Sequence, residues 1–559
     1  EIRSPKVGPV ISVGGKDYNI LNNVGKLGFG YYLLTPAAFL INAVQTPTYG
    51  ASLLAGRNGL QSSYRALMRA TTDVLKGGRK NRVKVNGEDV PGGLSNDEAN
   101  AISQAYIDGV LDRTQLGEAG LDPEQMTNAE IAAGKVTRAV QIIMNGFSTV
   151  ERYNREITFL AAYRLAKQNP SILNKGRDKY ANALEYAKDL TTKSHFNYSA
   201  SNSGLLFKDP KFKSILMFKK YPVNMYYTWW RVIKDSFGDL KKEGFSDADI
   251  KDIKRQARDQ LFGLSATAFA TAGLYGVPLW ELWQWVMGSL FDQLDDEDVD
   301  IPAGERIRNY LRDASLAVGL PAGFGEVVYQ GPLQSILGIS LARRLGGGAS
   351  PFSSPVAADD EASLLFKTME VILGPVGAMA FNIEEAVDRL QREDVSFLRA
   401  IEIGMPLGVR NILKGIRYAE EETATSLAGL PIVDDIGKFQ IFMQVMGFTP
   451  AEVSRQFDLN NARMSINKDV LKKRLKIITK ASIGMLHSDQ DLIDEAEKER
   501  IAFNENFPTM PIKISSIIKS AQMKRRFINT NELYKLGGVS SLKPKDLQFY
   551  DDKLGYISE

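Results

Sequence analysis

The chain reads as predominantly α, an extended multi-helix assembly module with a small N-terminal hairpin. Three observations predict this. Over Ile131–Gln168 apolar residues recur at helical spacing. Alternating strand patterns are almost absent after residue 90. Gly and Pro break the remainder into helix-length pieces.

Within residues 1–25, Val10–Val13 and Tyr18–Leu21 flank Gly14-Gly15, the pattern of a tight hairpin. The weakly charged run Leu27–Leu54 carries Pro36 and Pro47, which predicts a kinked or two-piece buried helix. Leu60–Lys76 sets Tyr64, Leu67, Met68, Thr71 and Leu75 on one side of an amphipathic helix. Gly77–Gly93 is a loop or small hairpin, and Ser95 with Glu98 three positions on opens the next helix with a cap. Ile131–Gln168 is strongly helical, with Glu151/Arg155 and Arg152/Glu156 spaced as intrahelical ion pairs. Such carboxylates could do acid–base work, but ion pairing on a helix face is the preferred reading. A helix over Lys179–Thr192 and a polar, turn-prone stretch over Ser194–Gly204 follow.

Lys211–Phe237 is basic and aromatic. Lys208, Lys211, Lys213, Lys219 and Lys220 stand with Tyr221, Trp229, Trp230 and Arg231. This mixture can stack bases and face phosphates, lie at a membrane surface, or pack helices together. Packing is preferred.

The run Leu261–Phe291 is the most distinctive. From Leu261 to Trp280 no Asp, Glu, Lys or Arg occurs, while Lys254, Arg255, Arg258 and Asp259 precede it and Asp292–Asp300 follows. A helix of that length would span roughly 30 Å, the thickness of a bilayer core. Leu261, Phe262, Phe269, Leu274 and Leu279 give it apolar bulk, and Trp280, Trp283 and Trp285 stand where an aromatic belt would. Gly263, Ser265, Thr267, Pro278 and Glu281 temper it. The expectation is a helix with two homes, one between subunits and one in lipid.

Beyond it, Asp296, Asp298 and Asp300 begin like a calcium loop, but Ile301 and Ile307 stand where its Gly and Glu belong. Gly346-Gly347-Gly348 lacks the context of a phosphate loop, and Val371–Phe381 is too short to span. Residues 397–420 predict a helix pair around Met405-Pro406. Asp434–Ser488 is charged and helical, with basic Lys468–Lys480, and residues 489–529 predict two further helices. The divisions expected are 1–25, 26–205, 206–310, 311–430, 431–529 and an extended tail, 530–559.

No catalytic, cofactor or metal site is expected. The 559 residues include no cysteine and only two histidines, His195 and His487, and carry a net charge of +3. That balance is too small to make the chain a bulk counter-ion for nucleic acid. No P-loop, dinucleotide fingerprint, HExxH, GxSxG or kinase signature occurs. The chain starts at Glu1 without a signal pattern, so it reads as part of a longer polypeptide, where any enzymatic activity would reside.

Three stretches carry a resemblance. They are Phe39–Pro47 with Leu53–Gly56; Glu151–Thr158 with Ala161–Ala166; and Phe196–Asn202 with Phe218–Pro222 and the apolar Leu261–Leu279. Over roughly residues 30–425 the chain resembles the C-terminal helical region of large polyvalent, internal virion proteins of short-tailed phages. The family often has Asp where Asn197 stands and Gln where Lys219 or Lys220 stands. The resemblance implies a core or ejection protein, held in the capsid interior near the portal and then moved to the host cell envelope. There it would join partner ejection proteins in a conduit, as a homo-oligomeric ring touching membrane and packaged DNA. Two other readings stay open: a docking module of a giant virion enzyme, and a DNA-organising protein using 208–231 and 468–480.

Overall fold

The computed structural model describes residues 10–13, 16–19, 35–78, 81–111, 135–195, 220–277, 284, 287, 301–341, 380–391, 396–427 and 429–530. The chain is predominantly α, as its periodicity predicts, and its strands form only short antiparallel hairpins. It divides into two compact units, residues 1–287 with 307–458, and residues 288–306 with 459–559.

In the first unit, β1 (Val10–Val13) pairs with β2 (Lys16–Asn19) across residues 14–15, giving the N-terminal hairpin. α1 (Pro36–Gln45) and α2 (Ala51–Asn58) are separated by a π-helical turn, Thr46–Gly50, so the helix is in two pieces with Pro47 at the break. α3 (Leu60–Lys76) has the predicted bounds but a shifted face: it buries Ser63, Leu67, Ala70 and Val74 and exposes Met68 and Leu75. Small residues at 63 and 70 let it lie close to its neighbours, which hydropathy alone does not register. The 77–93 stretch is a hairpin, β3 (Arg82–Val85) with β4 (Glu88–Pro91). Its turn is Asn86-Gly87, both at positive φ, the conformation of a type I′ turn.

α4 (Asn96–Ile107) opens with a complete Ser95–Glu98 capping box. α5 (Lys135–Gln168) is the central helix, against which α1, α3, α4 and α6 (Ala183–His195) pack. Phe159, Leu160, Ala161 and Ala162 sit in this core with Leu54, Ile102, Tyr186 and Leu190. α6 starts four residues later than periodicity suggests. α7 (Lys220–Phe237) and α8 (Asp247–Ala272) form a helical hairpin, and α8 also lies along α2. Gly/Pro-punctuated α9 (Ala303–Ala317), α10 (Gly323–Gln330) and α11 (Pro332–Leu337) follow, then α12 over residues 380–390.

α13 (Phe397–Glu402) and α14 (Leu407–Glu421) are the predicted pair around Met405-Pro406. A hairpin that strand patterning misses, β5 (Thr423–Thr425) with β6 (Pro431–Asp434), follows α14. Arg417 clips it down: the guanidinium donates to both carboxylate oxygens of Glu402, at 3.1 and 3.2 Å, and to the Thr425 carbonyl at 2.5 Å. α15 (Lys438–Met446) packs on α14. α16 runs Ala451–His487.

In the second unit, the C-terminal part of α16 packs with α17 (Gln490–Asn506) and α18 (Ile514–Thr530). Val470, Ile477, Ile478 and Ala481 meet Ala496, Phe503, Ile512 and Ile517. Lys480 bridges Glu495 and Glu499, each at 2.7 Å.

Candidate functional site

The charge-free run does not form one helix. Only residues 261–272 belong to α8, whose first half is charged, and the helix stops at Gly273. There the backbone takes φ 62° and ψ −153°, a region essentially reserved for glycine. A 3₁₀ turn, Leu274–Gly276, comes next. The stop has a physical cause: a Cβ on Gly273 would lie 2.4 Å from the Gly331 nitrogen and 2.5 Å from the Tyr329 oxygen. Among the described residues no helix is long and apolar enough to cross a membrane. The single-span expectation is corrected accordingly.

What α8 does instead is pack on α2 within its own chain. Gly263 lets Ser52 approach to 3.1 Å of where a Cβ would be. Thr267 Oγ1 lies 3.4 Å from Ser52 Oγ, and the Gln260 amide donates to the Leu53 carbonyl at 3.2 Å. Leu264 is buried, Leu261 and Leu274 are half-buried, and Phe262 and Phe269 face outward. Leu279, Trp280, Trp283 and Trp285 lie outside the described residues.

The basic-aromatic stretch divides. Lys208, Lys211, Lys213 and Lys219 lie outside the described residues, and Lys220 and Tyr221 are described only as backbone in the first turn of α7. Trp229 is buried with Val232, while its neighbour Trp230 is 64% exposed. Adjacent helical residues point about 100° apart, so the two indoles cannot form one stacking platform. The outward stripe instead comprises Val223, Tyr227, Trp230, Ile233 and Phe237.

The paired charges of α5 are wired differently from the spacing rule. Glu151 and Arg155 do pair, at 3.3 Å, both buried. Glu156, fully buried, turns away from Arg152 to Arg82 of β3, at 2.5 Å, and accepts from the Tyr106 hydroxyl. A partner in a hairpin 74 residues away wins: the Arg82 side chain, itself only 8% exposed, reaches the buried carboxylate, whose charge has to be neutralised where it lies. Arg155 also donates to the His195 carbonyl at 3.3 Å, and the His195 ring sits 2.8 Å from Thr158 Oγ1. His195 is thus part of the core.

Burial, and the Arg155 charge beside it, hold the His195 imidazole well below its ordinary range. The ring is therefore neutral in the fold and takes up a proton more readily when unfolded. Stability is expected to be flat above about pH 6.5 and to fall below it, with a slope approaching about 1.4 kcal/mol per pH unit for this one group. Urea unfolding across that range, compared with His195→Gln, checks this; an equal acid slope in the variant would assign the effect elsewhere.

The remaining feature is a polar cleft in the first unit, enclosing about 50 Å³. Five segments line it: α2 through Leu53 and Arg57, the connector through Arg177, Asp178 and Tyr180, α6 through Asp189 and Lys193, α7 through Arg231 and Asp235, and α8 through Gln256 and Gln260. Arg57 donates to the carbonyls of Ile172 and Asp178, each at 2.6 Å, and lies over the Tyr180 and Tyr186 rings. Lys193 lies between Asp178 at 2.7 Å and Asp189 at 2.5 Å. Arg177 meets Asp235 at 2.6 Å and Glu243 at 2.9 Å. Burial works to raise the Asp178 carboxyl, yet Lys193, with Arg231 and Arg57 beyond it, holds it below the ordinary carboxylate range.

Of this set only Arg231 stands among the sequence candidates. The others come from separate segments and share no motif, so no local spacing could have found them. The donors here are amine, amide and guanidinium groups, suited to anions rather than metal ions. Among the described residues no grouping of His, Asp and Glu forms a metal cluster. Comparison with protein-family models, with curated proteins and with solved structures finds no match for this chain.

Proposed function

We propose that the chain is an internal virion protein of a short-tailed phage, a core or ejection component that sits near the portal and helps carry the genome across the host envelope. Its work in that setting is assembly. The resemblance of residues 30–425 supports this reading, and one structural observation carries it furthest. On α7, Val223, Tyr227, Trp230, Ile233 and Phe237 are spaced four, three, three and four apart and all are exposed, 64% for Tyr227 and Trp230 and 69% for Phe237. Such a continuous apolar stripe is an association surface, not a solvated face. Its partners in this reading are other copies of the chain and sister ejection proteins.

The test compares DNA-filled particles with particles emptied by triggered ejection, using quantitative mass spectrometry. The chain is expected in filled particles and largely lost from emptied ones; equal amounts in both would overturn an ejection role, and absence from filled particles would overturn the virion reading. Trp230→Glu is expected to leave stability within about 0.5 kcal/mol, because nothing buried is touched. The same substitution is expected to reduce incorporation into particles.

A further inference from the structure

We propose that the cleft between α2, α6, α7 and α8 binds a small oxyanion of the phosphate or carboxylate class, with the Arg231 guanidinium as its principal donor. The site is separate from the apolar stripe and does not depend on the assembly reading.

Charge leads to it. Asp178 and Asp189 share Lys193; Asp235 and Glu243 share Arg177, and Glu243 also takes Lys234 at 2.9 Å. Arg57 and Arg231 make no ion pair with any carboxylate among the described residues. In the lining itself four cations, Arg57, Arg177, Lys193 and Arg231, therefore face three carboxylates, Asp178, Asp189 and Asp235, and the cleft is short of one negative charge.

Hydrogen bonding points the same way. Arg57 uses two backbone carbonyls, which satisfy donors without neutralising charge. The Arg231 side chain makes no hydrogen bond among the described residues. Gln256, only 8% exposed, leaves its amide nitrogen without a partner, and so does the Arg177 Nε. The two buried side-chain atoms of the lining left without a partner, Gln256 Nε2 and Arg177 Nε, are both donors, so the complementary occupant is an acceptor. A guanidinium fork presents parallel N–H groups suited to carboxylate and phosphate oxygens. At about 50 Å³ the space takes a few waters or one small oxyanion.

The experiment is isothermal titration calorimetry of the full chain with inorganic phosphate, sulfate and acetate, each against sodium chloride at matched ionic strength. Saturable binding that chloride does not reproduce is expected. A preference for phosphate and sulfate assigns a tetrahedral oxyanion, and a preference for acetate assigns a carboxylate. Arg231→Gln is expected to weaken binding by at least about tenfold. Should that variant lose its circular dichroism signal, Arg231→Lys, which keeps the charge and loses the fork, is expected to weaken binding by a smaller factor. No saturable binding up to about 10 mM of any of the three anions would overturn the proposal. Binding unchanged in a folded Arg231 variant would overturn it as well.

Discussion

Glu156→Ala is expected to lower stability by about 3–5 kcal/mol, the usual penalty for breaking a buried ion pair from one side. Glu156 has no exposed surface and its partner, the Arg82 side chain, is 8% exposed. Removing the carboxylate leaves a guanidinium facing the core, with the Asp89 carbonyl at 2.5 Å as a remaining acceptor. The Tyr106 hydroxyl, which donates to Glu156, loses its acceptor too. Urea unfolding followed by circular dichroism measures the loss. The double variant Arg82→Met with Glu156→Leu is expected to recover much of it, because no uncompensated charge then remains. A single variant that unfolds within about 1 kcal/mol of the parent would mean the hairpin is not held by this pair.

Gly273→Ala and Gly331→Ala are each expected to cost about 3 kcal/mol or more. Both residues occupy positive φ, at 62° and 95°. Side chains there carry roughly 1–3 kcal/mol of backbone strain. Packing compounds this, since the two backbones touch. A Cβ on Gly331 would lie 2.6 Å from the Gly273 nitrogen and 2.8 Å from that of Ala272, reciprocating the contact from Gly273. Relieving it requires the end of α8 to shift. Gly244, at φ 82° with nothing near its missing Cβ, is the control. Gly244→Ala should lose only the conformational part, about 1–2 kcal/mol. Equal losses at 244 and 273 would refute the contact argument.

The helical periods and their ends were legible wherever a local rule governs them. Ser95 and Glu98 announce a cap and Met405-Pro406 a break, and the structure has both. What escaped depends on distant residues. The stop at Gly273 is dictated by the backbone near Gly331, which no window around 273 contains. The partner of Glu156 is chosen by burial, so helical spacing nominates Arg152 in error. The face of α3 is shifted because Ser63 and Ala70 are valued for size, and hydropathy ranks Met68 and Leu75 above them. β5 is only three residues long and β6 opens with a proline, too little for an alternating pattern. Of the candidate residues, Trp230, Arg231, Phe262 and Phe269 lie on described surfaces where they can act, whereas the cleft around Arg231 is assembled by tertiary structure alone.

The seam between α2 and α8 imposes an order on maturation. Its polar contacts join residues 207 to 219 positions apart, from Leu53 to Gln260 and from Thr48 to Thr267. A chain appearing N-terminus first must keep the apolar side of α2 uncovered until most of α8 has followed it. Such long-range closure slows folding and lengthens the time that sticky surface is available. A fragment ending before residue 260 should therefore aggregate or recruit a chaperone, although every helix it contains is intrinsically sound.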